Sequence, residues 1–244
     1  MQIDQFLKRG AYHPTFCEDF SLVQPLEPHK LVLAVMDGCT MGQESHFAAT
    51  LLAKILRKVL KEWPYRAIYD PDLQHLSLQR ELQALLAALF TDVQQLKNQL
   101  LLSTAELLAT LVLALLDTRT GEVAVLALGD ATVAINGQLT RFEQDNRPDY
   151  LAYHLGQPFE TWYNRQQQRL HHTMCVDLAL ATDGIDSFQP LVPTEGLPDV
   201  PTYLLLDQRR TGQPEVLNRK VRQLEKEFSL VPTDDVAILR VQLA

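Results

Sequence analysis

The sequence predicts an α+β fold in which antiparallel sheets are covered by helices. Three observations carry that prediction. Strand-like runs come in hairpin pairs, helical periodicity appears in an early pair of segments and one late one, and no internal repeat or Gly- or Ser-rich linker divides the chain. With 244 residues, 46% of them hydrophobic, residues 1–244 are expected to form one large domain with a sizeable core.

Residues 16–24 (FCEDFSLVQ) and 30–36 (KLVLAVM) read as two strands around a turn containing Pro25 and Pro28. After Asp37-Gly38 the period changes. Phe47, Leu51, Ile55 and Val59 recur every fourth residue, with Ala48, Leu52, Leu56 and Leu60 beside them. This spacing predicts a helix from about Gln43 to Trp63, stopped by Pro64. A second helical segment over about 72–101 carries Leu82, Leu85, Leu86, Leu89, Val93 and Leu96. Residues 107–117 and 122–130 then form a hairpin about the turn DTRTG. TVAIN and QLTRF form another about Asn136-Gly137, a strong hairpin signal. Residues 144–170 are polar and irregular. A strand over 174–182, a helix over 214–228 and a closing strand over 235–243 complete the reading.

Composition removes several functional classes. The net charge is -8, from 30 acidic and 22 basic residues with no basic stripe, which argues against a nucleic-acid partner. Cys17, Cys39 and Cys175 form no C-x-x-C pair, so neither disulfides nor structural zinc are expected and a reducing compartment is. The opening residues lack the order of a signal peptide, and the apolar run 107–116 is half of a bilayer span. A soluble, cytoplasmic protein with no membrane partner is expected. No P-loop, G-x-S-x-G or H-E-x-x-H motif occurs.

The chemistry collects where acidic residues interrupt apolar runs. Asp37 ends LVLAVM, Asp130 follows VAVLALG, Asp183 ends DLALAT, and Asp234-Asp235 precede VAILRV. In an antiparallel sheet the end of one strand lies beside the start of its neighbour, so these residues are placed to converge on one edge. Glu18-Asp19 add two carboxylates inside the first expected strand. Singly, each Asp-Gly reads as an ordinary turn and the Glu-Asp pair as an exposed edge. Together, so many carboxylates repel one another unless a cation neutralises them. Oxygen donors without a His or Cys cluster suit Mg²⁺ or Mn²⁺.

The succession Glu18-Asp19, Asp37-Gly38, Gly129-Asp130, Thr182-Asp183-Gly184 and Asp234-Asp235-Val236 resembles the metal-dependent type 2C Ser/Thr protein phosphatases over about residues 14–243. The resemblance implies a four-layer αββα sandwich, two antiparallel sheets flanked by helices. It implies that Asp37, Asp183 and Asp234 hold one Mg²⁺ or Mn²⁺ ion. Glu18, Asp37 and the Gly38 carbonyl would hold a second, supported by Asp19 through water. Asp130 would hold a third, weaker ion. Catalysis would run through a metal-activated water served by Asp37, Asp183 and Asp234, without a covalent phosphoenzyme. The implied partner is a phosphorylated protein, met by a monomer.

The chain departs from the family pattern at the groups that handle substrate. Pro14 stands where an Arg commonly grips phosphate, with Arg9 as a substitute to consider. Cys39 replaces a His proposed as proton donor, Asp235 replaces an Asn, and Thr182 replaces a Ser. These changes favour a second reading, a catalytically weak member that binds metal or a phosphorylated partner as a regulatory module. Cys39 is not expected to be a nucleophile, because a cysteine phosphatase loop needs an Arg six residues on and Ser45 stands there. His171-His172 read as solvated or capping, His46 as a surface or packing residue, and Trp63 and Trp162 as anchors.

Overall fold

The computed structural model describes residues 1–144, 148–209 and 212–243. The chain begins with β1 (Gln2–Lys8), β2 (Phe20–Glu27) and β3 (Lys30–Met36), followed by α1 (Ser45–Tyr69) and α2 (Leu78–Gln99). Two hairpins follow: β4 (Leu111–Asp117) with β5 (Val123–Leu128), and β6 (Ala131–Ile135) with β7 (Gln138–Phe142). Next come α3 (Phe159–Tyr163), β8 (Arg169–His172), β9 (Asp177–Thr182) and β10 (Phe188–Pro190). Helix α4 (Val216–Phe228), β11 (Leu230–Pro232) and β12 (Val236–Gln242) complete it.

The long strands assemble into two five-stranded antiparallel sheets, ordered β2-β3-β4-β5-β8 and β1-β12-β9-β6-β7. Burial explains why their sequences read as continuous apolar runs. In β3, Leu31, Leu33 and Val35 face the second sheet, while Val32, Ala34 and Met36 face α1 and α2. In β9, Leu178 and Leu180 face the first sheet, and Ala179 and Ala181 face α4. A strand covered by a sheet on one side and a helix on the other has no polar face. The result is the four-layer αββα sandwich. Asn136 (φ 50°) and Gly137 (φ 84°) make the tight β6–β7 turn that their sequence predicts. Among the described residues, no helix is long and apolar enough to cross a membrane.

Several boundaries differ from the sequence reading. Helix α1 passes through Pro64 to Tyr69. Pro64 lies on the solvent-facing side, while Trp63 beside it is buried in the core, and Arg66 bonds Glu62 across the proline at 3.0 Å. The second helix starts only at Leu78, capped by Ser77; residues 71–73 form a separate turn on the Asp70 side chain. Strand β2 starts at Phe20, so Glu18-Asp19 precede it, and it runs through Pro25 with a bulge before Glu27. The irregular segment 144–170 contains α3 and the start of β8, while its residues 145–147 lie outside those described. Strand β1, paired along its length with β12, is not foreshadowed in the sequence reading.

Candidate metal centre

Strand register brings the acidic residues to one end of the sandwich. In the second sheet Phe142, Ala131 and Thr182 form one row, and Glu143, Asp130 and Asp183 stand next beyond it. In the first sheet Phe20 opposes Met36, so Asp19 before one and Asp37 after the other leave the sheet together. Asp37 is fixed through its backbone. Its N–H donates to Thr110 Oγ1 at 3.1 Å and its carbonyl accepts Thr110 N–H at 2.8 Å. Gly38 N–H donates to the Glu18 carbonyl at 3.1 Å, tying the two motifs together, and Thr40 Oγ1 donates to Glu18 Oε2 at 3.2 Å.

Asp235 fastens the N-terminal segment to the start of β12. Its Oδ1 accepts Gly10 N–H at 2.7 Å; its Oδ2 accepts Glu18 N–H and meets His13 Nδ1 at 2.8 Å. An Asn amide nitrogen has no lone pair for these donors, which accounts for a carboxylate here. Close packing requires glycine on both sides of this segment. A Cβ on Gly10 would meet the Asp234 carbonyl carbon at 2.3 Å, and one on Gly184 the Asp235 oxygen at 1.7 Å. Asp234 is half-exposed, and its Oδ1 accepts Asp235 N–H at 2.7 Å and lies 3.2 Å from His13 Nε2. His13 is absent from the sequence reading. No local pattern marks it, because its partners lie at the other end of the chain.

The electrostatics are one-sided. Burial drives Asp37 well above the ordinary carboxylate range, and the charges of Asp19 and Asp183 add to it. Burial pushes Asp19 up to about 7, against the pull of the Thr182 hydroxyl, which donates to Asp19 Oδ2 at 2.6 Å. Thr182 thus keeps the hydroxyl that a Ser would supply. Asp183 rises to about 6, through burial and then repulsion from Asp234 and Asp130. No lysine or arginine is among the leading contributions to these three. At the rim, burial opposes protonation of His13, but the bond and charge of Asp235, with Asp234 and Glu18, raise it overall.

Among the described residues, no three His, Cys, Asp or Glu side chains stand in a ready-made metal-holding arrangement. The donor chemistry nonetheless fits a hard divalent cation. The centre offers carboxylate and carbonyl oxygens, their charges raise one another, and Asp19 Oδ1 is buried with no hydrogen-bond partner. Two clefts open at the acidic end. One of about 330 Å³ is lined by Asp130, Asp183, Arg141 and Asp186, and one of about 460 Å³ by His13, Glu18, Thr40 and His46. A larger cleft of about 890 Å³ between α1 and α2 has none of these carboxylates in its lining.

The remaining expectations find their places. Cys39 is buried, and Tyr150, raised by burial, lies against it. His171 and His172 are exposed on β8, and His46 stacks on Phe16 at 4.2 Å. Trp63 and Trp162 are buried anchors. Arg9 turns back onto the Pro14 carbonyl in an exposed position.

A family model described as protein phosphatase 2C matches residues 9–221. Among solved structures, an arginine-to-alanine variant of a bacterial serine phosphatase superposes with a TM-score of 0.64 at 16% identity, covering 100% of this chain and 99% of that one. The SiaA PP2C domain of Pseudomonas aeruginosa gives 0.62 at 16% identity, covering 99% and 86%. RsbX in complex with magnesium gives 0.56 at 14% identity, covering 98% and 94%. Among curated protein sequences, none matches the chain. At these identities the structures speak for the fold. The family match extends over most of the chain and includes Glu18, Asp37, Asp130 and Asp183, although it ends before Asp234, and the chain belongs to the protein phosphatase 2C family.

Proposed function

We propose that this chain is a Mg²⁺- or Mn²⁺-dependent phosphatase that removes phosphate from phosphoserine and phosphothreonine in proteins. The observation that carries the reading is the meeting of Asp19 and Asp37 from the first sheet with Asp183 from the second at one end of the sandwich. Asp130 and Asp234 lie beside them, and no lysine or arginine is among the groups that act most strongly on the three. Asp37, Asp183 and Asp234 would hold one ion; Glu18, Asp37 and the Gly38 carbonyl a second, with Asp19 behind them; and Asp130 a weaker third. Divalent ions bound there supply the acidification of water and the positive charge that phosphoryl transfer to water requires.

The chain's own residues set this up. Thr182 orients Asp19, Thr110 fixes the backbone of Asp37, and Asp235 with His13 holds Asp234 and Glu18 at opposite sides of one junction. Residues 1–244 would act as one domain, as a monomer on phosphorylated proteins in the cytoplasm. The magnesium of the RsbX complex is in keeping with this cofactor choice. Pro14 and the buried Cys39 favour a second reading, a weakly active or inactive phosphoprotein-binding module. Mn²⁺- and Mg²⁺-dependent hydrolysis of a phosphothreonine peptide and of p-nitrophenyl phosphate tests the choice. A folded protein that turns over neither with either metal overturns the phosphatase reading.

A further inference from the structure

We propose that Arg141 is a phosphate-binding residue of this site, its guanidinium taking the phosphate oxygens of a phosphoserine or phosphothreonine substrate. The proposal rests on the phosphatase reading and says which residue of this chain grips the substrate. Any phosphate approaching the acidic end meets a negative surface. The cleft of about 330 Å³ presents Asp130, Glu143, Asp183 and Asp186, and Arg141 is the only cation among its described lining residues. Divalent ions would neutralise Asp130 and Asp183, but Glu143 and Asp186 would still face a phosphate dianion, and Arg141 is placed to offset them.

Register fixes the placement. Arg141 stands opposite Thr132, one strand over and two residues from Asp130. Asp186 belongs to the turn that begins at Asp183. Residue 141 is therefore carried by the same strand ends as the carboxylates.

The side chain is also available. Its Nη2 donates to Asp186 Oδ1 at 3.0 Å, and the two side chains are 44% and 45% exposed. Such exposed pairs contribute about 0–1 kcal/mol, so a phosphate group that accepts two parallel N–H bonds competes readily for the fork. Arg9, the other candidate, is engaged by the Pro14 carbonyl and lines neither cleft at the acidic end.

The test titrates a phosphothreonine peptide into the Mn²⁺-supplied full chain by calorimetry and measures KM and kcat in parallel. The variants are Arg141→Ala, Arg141→Lys, Asp186→Asn and Arg9→Ala. Arg141→Ala should weaken peptide binding and raise KM by about tenfold or more, with a smaller change in kcat. Arg141→Lys should fall between, since an ammonium keeps charge without the fork. Asp186→Asn, which loosens the competing partner, should bind the peptide at least as tightly as wild type. Unchanged Kd and KM in Arg141→Ala, or a loss that falls on Arg9→Ala instead, overturns the proposal. Wild-type turnover with an unaffected Arg141→Ala sinks the grip and leaves the phosphatase standing. Arg141-dependent peptide binding without turnover does the reverse. A wild type that neither binds nor hydrolyses the peptide ends both.

Discussion

Strand β9 runs between two acidic positions that meet opposite surroundings. At its start Asp177 accepts Arg240 Nε at 3.0 Å and Nη2 at 2.7 Å, and Gln208 Nε2 at 2.6 Å. Nearby, buried Lys220 donates to the carbonyls of Tyr203 at 2.9 Å and Asp207 at 2.6 Å. At its end Asp183 meets Asp234 and Asp130, and its carboxyl is driven up. The first group carries its own counter-charges and closes on itself. The second has carboxylates in excess and an unpartnered buried oxygen in Asp19. One strand thus joins a charge-balanced structural cluster to one left with carboxylates in excess.

The largest effect should come from breaking the charge-balanced cluster. Arg240→Ala leaves Asp177 buried without its cation and should cost about 3–5 kcal/mol in urea unfolding. Whatever remains folded should still be stabilised by Mn²⁺, because the other end of β9 is untouched. Loss of that response would show that the two ends are not independent.

The acidic end should behave inversely. Asp37→Asn, Asp183→Asn and Asp234→Asn should each lower turnover by at least a hundredfold, about 2.7 kcal/mol of transition-state stabilisation. For Asp37→Asn and Asp183→Asn the unfolding free energy without metal should not fall, since mutual repulsion among the buried carboxyls is relieved. Asp130→Asn should lose turnover yet keep its stabilisation by metal. Wild-type turnover from Asp37→Asn and Asp183→Asn would return both to ordinary turn residues. For the wild type, Mn²⁺ at ~100 times its dissociation constant should add about 2.7 kcal/mol per site, read as a rise in Tm. No rise with millimolar Mn²⁺ would remove the cation from the comparison.

The dependence on pH separates the two clusters in another way, since they bend the stability profile in separate windows. Asp19 at about 7 and Asp183 at about 6, against 3.8 ordinarily, mean that the folded state binds more protons. Metal-free stability should therefore fall as pH rises from about 4 to 7. Burial, then the charge of Arg240, pushes Lys220 down to about 8 from 10.5, despite Asp207. Here the unfolded state binds more protons, so this contribution should grow from about pH 8 to 10.5. Urea midpoints across pH check both. Lys220→Met should flatten the alkaline rise, and Mn²⁺ the neutral fall.

Much of the fold was legible because its signals are local. Asn136-Gly137 needs only its own φ preferences, and the register of a hairpin follows from its turn. The convergence of Asp37, Asp130 and Asp183 was legible only in part. Antiparallel order sets strand ends beside strand starts within each sheet. Asp37 and Asp183, however, lie on different sheets and meet through the packing of one on the other, with Asp130 at the β5–β6 connection between them. Strand β1 stayed hidden because its buried face is Asp4 and Phe6. The Asp4 side chain accepts Val216 N–H at 2.9 Å, so a charge occupies a position where alternation demands an apolar residue. Pro64 misled because a breaker is judged on intrinsic propensity, while Trp63 beside it is held in the core. His13 was unreadable because its partner Asp235 is 222 residues away. Arg141 carries no local mark within QLTRF, and only register sets it opposite Thr132, two residues from Asp130.

The pairing of β1 with β12, and the gathering of Gly10, His13 and Glu18 on Asp235, also set an order in time. On the ribosome Glu18 and Asp37 emerge well before Asp235, which fastens their segment from 217 residues beyond Glu18. Until then β1 has no neighbour and the second sheet lacks the strand between β1 and β9. Contacts this distant in sequence form slowly. The acidic end should therefore mature only once β12 has been made, and a nascent chain short of β12 should hold Glu18 and Asp37 without the contacts that fasten their segment.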